Sequence, residues 1–404
     1  MSTNCDSCDR RKLRYNFLER FDMVIVLLCI AVLLTYLSFE AVLAGSRRNS
    51  VKLRIAVTGV RGKSSVTRLI TGVFQQSGLK VIGKVTGSKP VLLYPDGKEE
   101  DIKRKKKPSV IEQVRVLLKK AIMLHVDGFV SETMSIKPEI LRCEIQNILK
   151  PQFIAITRIE IDHTEDLGKT IQEIRQNIAR ACNPGATVVT MKENLDKSSV
   201  EILKRKGCNV IEIDSHKFLI KPDSYVEFDE NLALAHKICE IVGIDESSIF
   251  NAFRNISGDI GVLRFWKLTN DVIVVNGFAA NDPDSTIRVF NRAKEILNEL
   301  GSFDQFVGIL NLRADRVDRT VQWLNCLKEW FPFEKLYVVG SDSALFVKRL
   351  KNPKCVATTV EKLIDVVSRF DQRTVIFGFG NIAGAGMKLI EKWQENGLCL
   401  KLQP

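Results

Sequence analysis

The sequence predicts an α/β protein in which one N-terminal membrane helix precedes a phosphate-binding central domain with a mainly parallel sheet and a smaller open-sheet C-terminal domain. Three observations predict it. A single long apolar run occupies 23–39, a glycine-rich turn at 58–65 joins a strand pattern to a helix pattern, and strand and helix patterns then alternate to the C-terminus. A chain of 404 residues, 45% hydrophobic and 27% charged, is long enough for two or three globular domains and is not disordered on any large scale.

The apolar run is followed by Glu40 and then by apolar 41–44. Its 17 residues rise about 26 Å as a helix, close to the roughly 30 Å hydrocarbon core, so a single anchor over 23–45 after a basic tail over 1–22 is expected, with Glu40 near the interface. A cleavable secretory signal ending at Val42-Leu43-Ala44 is the rival, and the nucleotide motif downstream argues against export. Arg10, Arg11, Lys12 and Arg14 precede the run while Arg47, Arg48, Lys52 and Arg54 follow it, so the positive-inside rule gives no orientation. The formal charge of +12 suits nucleic acid, anionic lipid or an acidic substrate equally. Ten cysteines without regular spacing read as thiols in a reducing compartment, and the Cys5–Cys8 pair lacks the further ligands of a zinc site.

After the anchor, 53–58 reads as a buried strand. The helix that follows the turn carries Val66, Leu69, Ile70, Val73 and Phe74 on one face and ends at Gly78, a natural C-terminal cap. Helices are expected at 110–124 and 138–149, with strands at 129–131, 153–157, 186–190 and 209–213. A helix over 230–242 closes the domain. Glycines at 255–261 break the pattern, which sets limits of 50–257 and 258–404. Strands at 263–268, 272–275, 306–310, 336–339 and 375–379 follow in the second part. The basic run at 103–107 lies in a polar loop that starts near Pro95 and reads as solvated.

Thr58-Gly59-Val60-Arg61-Gly62-Lys63-Ser64-Ser65 carries the strongest chemical signal. Glycines let backbone N–H groups approach phosphate oxygens, the helix N-terminus adds positive potential, Lys63 reaches the outer phosphates and Ser64 suits Mg²⁺. The loop is shorter than the common Walker form, with Val57 where that pattern has glycine.

This T-G-x-x-G-K-[ST] variant resembles the ATP loop of the Mur ligase superfamily, which includes the muramyl peptide ligases and folylpolyglutamate synthase. The resemblance implies a phosphate-loop central domain, a Rossmann-like C-terminal domain, and ATP with Mg²⁺ as cofactors. It implies nucleotide contacts from Gly59, Arg61, Gly62, Lys63, Ser64, Ser65, Asn231, Arg264 and Asn281. Glu132, at the end of a later strand, matches the family's Mg²⁺ ligand beside Ser64, and Asp162-His163 resembles its D-H pair, whose histidine binds a second metal. Lys63, Glu132, His163 and Arg264 are thus the implied catalytic set. Arg158 stands where the family has asparagine, and Ile178 where many muramyl ligases carry a carbamylated lysine.

Each of the weaker matches has a structural alternative. Asn231 is either a nucleotide contact or a helix N-cap. Asn281-Asp282-Pro283 belongs to a ribose and hinge loop beginning at Asn276, or simply caps a helix. Arg313, Asp315 and Arg316 form a substrate loop or a surface salt-bridge cluster. The glycine turn 378–384 presents backbone donors to a carboxylate or is only a turn.

The anchor leads almost directly into the phosphate-loop strand, leaving no room for the UDP-sugar domain of muramyl ligases. The strings 58–64, 275–283 and 313–316 look closest to the membrane-bound ligase subunit of poly-gamma-glutamate synthases. That resemblance implies a glutamate side-chain carboxylate activated by ATP as an acyl phosphate and joined to an amine, with release of ADP. It implies glutamate and the growing polymer as substrates, further membrane subunits of a synthase or export complex as partners, no nucleic acid, and catalytic domains on the cytoplasmic side of the cell membrane. A folylpolyglutamate-synthase-like ligase and a membrane-associated phosphate-loop ATPase without ligase activity are the alternatives.

Overall fold

The computed structural model describes residues 6–401 except 88, 105–107, 163, 215, 216, 219, 371 and 372; side chains are described from Met23 onward, residue 44 excepted. Helix α1 (Asp6–Asn49) runs unbroken through Glu40. Its stretch Met23–Asn49 is long and apolar enough to cross a membrane, and its large side chains, Val32 and Val42 among them, face outward. Only residues 50–52 separate it from the strand that begins at Leu53. Val51 is buried with Leu117, Leu118 and Leu149, and Arg48 donates to the Asn147 carbonyl at 2.9 Å.

Two sheets follow. The first contains β1 (Leu53–Thr58), β2 (Val81–Val85), β3 (Val91–Leu93), β4 (Glu99–Asp101), β5 (Gly128–Glu132), β6 (Phe153–Ile156), β7 (Thr187–Met191) and β8 (Asn209–Ile213), in the order β4-β3-β2-β5-β1-β6-β7-β8. Its pairings are parallel except β2–β3 and β3–β4, which are antiparallel. β1 lies between β5 and β6 and connects away from both to β2, so the chain direction switches at the carboxyl end of β1, where open α/β sheets place ligands.

Helix α2 (Lys63–Gln76) buries the face the spacing predicts: Val66, Leu69, Ile70, Val73 and Phe74 are fully enclosed. Gly78, at φ +83°, ends it as expected, with Leu79 N–H on Phe74 O and Gly78 N–H on Gln75 O. Two expected helices contain wide turns. A π-helical stretch Gln113–Leu118 runs into α3 (Lys119–Met123), and α4 (Pro138–Arg142) runs into another, Cys143–Leu149. They meet at the buried bond from Gln113 Nε2 to Glu144 Oε1, 2.7 Å, beside the end of β5. Helices α5 (Ile171–Ala181) and α6 (Lys197–Arg205) flank β6 to β8, and α7 (Asp229–Val242) packs on α2.

Two local expectations change. Helix α7 does not close this part of the chain, because α8 (Glu246–Asn255) adds Ile249 and Phe253 to the same core. The segment expected as a polar loop holds β4, whose Glu99 is bound by Arg68 of α2 at 2.6 and 3.0 Å. Three exposed acidic residues carry no periodic signal; pairing with β3 places them and the Arg68 ion pair holds Glu99.

The second sheet contains β9 (Arg264–Leu268), β10 (Ile273–Asn276), β11 (Gln305–Leu312), β12 (Lys335–Gly340), β13 (Cys355–Ala357), β14 (Thr374–Gly380) and β15 (Gly397–Cys399), in the order β13-β12-β11-β14-β10-β9-β15. Strands β9 and β15 run antiparallel to their neighbours; the other pairings are parallel. Helices α9 (Pro283–Leu300), α10 (Val317–Glu329), α11 (Ser343–Leu350), α12 (Val360–Val367) and α13 (Ala385–Asn396) complete it. Trp323, Phe333, Phe377 and Phe379 fill one of its faces.

The turn after β1 depends on one close approach. Gly59 has φ +129°, and a Cβ there would lie 2.3 Å from Thr157 Oγ1 and 2.8 Å from the Thr157 carbonyl oxygen. Gly59→Ala therefore pushes the loop off the end of β6 and is expected to cost about 2 kcal/mol or more, read as a lowered midpoint in thermal or denaturant unfolding.

Candidate active site

The phosphate loop is held by the backbone of the next strand's end. Val60 N–H and Arg61 N–H both donate to the Arg158 carbonyl at 3.0 Å. Gly62, in the left-handed region at φ +86°, begins α2, and no side chain caps that helix. The first-turn N–H groups, which have no acceptor within the helix, are thus available to an anion on an axis whose dipole favours one. Lys63 folds its ammonium onto the Gly59 and Val60 carbonyls at 3.0 and 3.2 Å. Desolvation lowers its pKa, with Glu132 the strongest opposing influence.

Beside the loop, Ser64 Oγ donates to Glu132 Oε2 at 3.0 Å, and the same oxygen accepts Thr86 N–H at 2.7 Å. Glu132 is 3% exposed. A Cβ on Gly87 would lie 2.3 Å from Ser64 Oγ, so only glycine leaves this hydroxyl its place. A hydroxyl and a carboxylate side by side are hard oxygen donors that fit Mg²⁺, which takes the rest of its shell from phosphate and water. Among the described residues no group of three or more His, Cys, Asp or Glu could hold a metal alone. His163, expected to bind a second metal, lies outside the described residues.

The end of β5 is fixed by a buried network that spacing does not announce. Gln113 Nε2 donates to Glu132 O at 3.2 Å, Ser131 Oγ donates to Gln113 Oε1 at 3.0 Å, and Glu144 accepts the N–H groups of Met134 and Ser135 at 3.1 and 3.0 Å.

Arg61 is not directed at the phosphate position. Its guanidinium binds Asp162 at 3.1 Å, Asn281 Oδ1 at 3.2 Å and the Asp282 carboxylate. Arg319 of α10 grips the other oxygen of Asp162, which is 8% exposed. Ser285 Oγ donates to Glu160 at 3.1 Å, and Arg288 binds Glu230 while its guanidinium lies 4.3 Å over the Phe228 ring. The two sheets are therefore clasped by alternating charges. Asp282 also caps α9 by accepting Ser285 N–H at 2.9 Å, with Pro283 in the first turn, so the capping alternative holds for this residue.

A cleft of about 450 Å³ lies between the sheets, and Arg61, Lys63, Ser64, Glu132, Asn231 and Arg313 are among its walls. Gly59 supports the loop from behind it, while Gly62, Ser65 and Asn281 also line it. Asn231 is not a helix N-cap, since α7 begins after Phe228; its amide nitrogen donates to Glu227 Oε1 at 2.7 Å. Asn276 is buried and pins the interdomain linker, donating to Ile260 O and Val262 O at 2.8 and 3.1 Å. Arg264 departs from expectation. It does not line the cleft, because its guanidinium donates to Ser224 O at 3.2 Å and stacks on Trp266. Arg313 lines the cleft while bound bidentately to exposed Asp315 at 2.9 and 2.7 Å, and Arg316 begins α10, so this trio combines a surface ion pair with a cleft-facing arginine. Residues 381–383 of the glycine turn reach the cleft and are held by Asn311, which donates to Ala383 O at 2.8 Å.

Comparison with known proteins matches residues 57–243 to the Mur ligase middle domain and residues 262–396 to the poly-gamma-glutamate synthase CapB C-terminal domain. The chain is 30% identical to the PGA synthase CapB of Bacillus subtilis over 86% of its own length and 91% of the relative's. It is also 30% identical to the capsule biosynthesis protein CapB of Bacillus anthracis, over 93% and 84%. Among solved structures, the Yersinia pestis bifunctional folylpolyglutamate synthase/dihydrofolate synthase complexed with AMPPNP and Mn superposes with a TM-score of 0.65 at 14% identity, covering 87% of this chain and 92% of that one. The Mycobacterium tuberculosis folylpolyglutamate synthase complexed with ADP gives 0.64 at 17%, covering 90% and 95%. At these identities the likeness is one of fold.

One carboxylate in the cleft wall titrates abnormally. Burial pushes the Glu227 carboxyl up to about 7 from an ordinary 4.5, with Glu230 adding to the rise and hydrogen bonds from Asn231 and Phe228 opposing it. Because the folded value lies above the unfolded one, its contribution to stability is present below about pH 4.5 and is lost as pH rises through about 7. Unfolding free energy should fall across that window in the parent chain, and Glu227→Gln should remove this part of the fall in a pH series of denaturant titrations.

Proposed function

The chain belongs to the poly-gamma-glutamate synthase CapB family of Mur-type ligases, and from that premise we propose that its cleft activates a glutamate side-chain carboxylate at the phosphate loop. The protein is an ATP-dependent amide ligase of poly-gamma-glutamate synthesis that uses a divalent metal. In the reaction proposed, an oxygen of the γ-carboxylate attacks the γ-phosphorus of ATP, ADP leaves, and the resulting acyl phosphate is attacked by an amine. Phosphate departs and a γ-amide remains. Transfer of this kind needs alignment and charge neutralisation more than covalent assistance.

The arrangement of Lys63, Ser64 and Glu132 around an uncapped helix N-terminus carries this reading. The N–H groups at the start of α2 hold the phosphates, and Lys63, released from the Gly59 and Val60 carbonyls, neutralises the outer ones. Ser64 and Glu132 would hold Mg²⁺, which would supply charge neutralisation when bound. Arg313 is the cleft cation placed to meet a substrate carboxylate, once separated from Asp315. Arg264 serves the nucleotide only if the second sheet moves relative to the first, since its present partners hold it outside the cleft.

We take 50–257 as the ATP-binding unit and 258–404 as the second. The two sheets, whose strands fall within 53–213 and 264–399, support that division. The apolar stretch of α1 supports a single membrane anchor over 23–45, and its direct junction with β1 would hold the cleft near the membrane surface, within reach of membrane partners that handle the polymer.

Membranes carrying the chain, incubated with ATP, Mg²⁺ and labelled glutamate, should release ADP in step with new γ-amide product detected by mass. Lys63→Ala should lower amine-dependent ADP release about 100-fold or more. Unchanged release in that variant contradicts the mechanism. ADP formation without a new amide favours the ATPase alternative, and ADP formation driven by a folate rather than glutamate favours the folyl ligase.

A further inference from the structure

Glu227 forms part of the cleft wall at the entrance to α7, yet the reaction described above gives it no task. It is 2% exposed, and its Oε2 has no hydrogen-bond partner among the described residues. Such a group is costly to keep, so a carboxylate here has to contribute something an apolar residue would not. Its other oxygen shows what. Glu227 Oε1 accepts the Asn231 amide nitrogen at 2.7 Å and Phe228 N–H at 3.0 Å, with the Ser65 hydroxyl close by.

That bond sets the orientation of the asparagine. Glu227 Oε1 acts as the acceptor of this bond, so the Asn231 nitrogen turns toward Glu227 and the amide oxygen turns away. The oxygen lands against the phosphate loop: a Cβ on Gly62 would lie 2.4 Å from Asn231 Oδ1, but 3.3 Å from its nitrogen. Gly62, at φ +86°, is the residue from which α2 and its anion-facing N–H groups start. A continuous strut thus runs from Glu227 through Asn231 to the backbone of the phosphate loop.

We propose that Glu227 is a positioning residue for the nucleotide: it locks Asn231 with its oxygen against Gly62, which sets the loop for triphosphate and therefore sets ATP affinity. This rests on the ATP-binding reading of the same cleft. The strut touches the loop's shape and not the transferred phosphoryl group, so its loss acts on ATP binding more than on the chemical step.

The test uses the full chain in detergent or nanodiscs. ATP with Mg²⁺ is titrated by calorimetry, and KM for ATP and kcat are measured alongside. Glu227→Ala should raise both Kd and KM for ATP about 10-fold while kcat stays within about 2-fold. Glu227→Gln keeps an oxygen for the Asn231 amide and should bind ATP within about 2-fold of the parent. In a double-mutant cycle, Glu227→Ala combined with Asn231→Ala should bind no more weakly than Asn231→Ala alone, because the two act through one contact. If the alanine variant loses its cooperative unfolding transition, Glu227→Leu, which fills the space without an acceptor, carries the same expectation. Parent-like ATP affinity in the alanine or leucine variant, or fully additive losses in the cycle, overturns the proposal while leaving the ligase reading intact. A parent chain that takes up no ATP overturns both.

Discussion

The seating of one short loop on the end of β6 governs the rest of the molecule. Gly59 lets the chain pass against Thr157, and the Arg158 carbonyl takes two successive N–H groups from Val60 and Arg61. Those donors are spent on structure, which leaves the next ones, at the start of α2, directed outward with neither cap nor carbonyl to satisfy them. The fold serves this arrangement. Placing β1 between β5 and β6 brings Glu132 to one side of the loop and the Arg158–Asp162 segment to the other, so the proposed metal ligand, the proposed phosphate cradle and the interdomain contact arise from three adjacent strand ends.

The same edge carries the joint between the two sheets. Asp162 is gripped from its own side by Arg61 and from the other by Arg319, while Arg61 extends to Asp282 at the start of α9. A partly buried network of this kind costs desolvation and repays it through geometry, so its value lies more in fixing one relative placement than in net stability. Since Arg61 belongs to the phosphate loop, rearrangement of the loop and movement of the second sheet are mechanically linked. Arg264 and Arg313, bound to Ser224 and Asp315, are the cations whose partners would change with such a movement.

Much of this was legible in the sequence where the signal is local. The turn 58–65 announces itself by glycines at fixed offsets between a strand and an amphipathic helix, and Glu132, at the end of a readable strand, is picked out by the resemblance to the Mur ligases. Contacts assembled from distant segments leave no such trace. Arg319 sits in an ordinary amphipathic helix and Gln113 in a helix whose wide turns have no periodic signature, yet they hold Asp162 and Glu132, while Gly87, in a turn with no motif, leaves room for the Ser64 hydroxyl. Arg264 shows the converse. The resemblance to the Mur ligases implies a phosphate ligand here, but the side chain follows its local partners, the Ser224 carbonyl and the Trp266 ring.

Membership in a family of amide ligases and the proposed seating of a triphosphate at the phosphate loop lead to one chemical claim, that the acid is activated by taking up phosphate. An oxygen label tests it most directly. Glutamate carrying ¹⁸O in its γ-carboxylate, incubated with the membrane-bound enzyme, ATP and Mg²⁺, should yield inorganic phosphate containing one ¹⁸O per amide formed, because the bridging oxygen leaves with the phosphoryl group. Amide product accompanied by unlabelled phosphate would contradict the account.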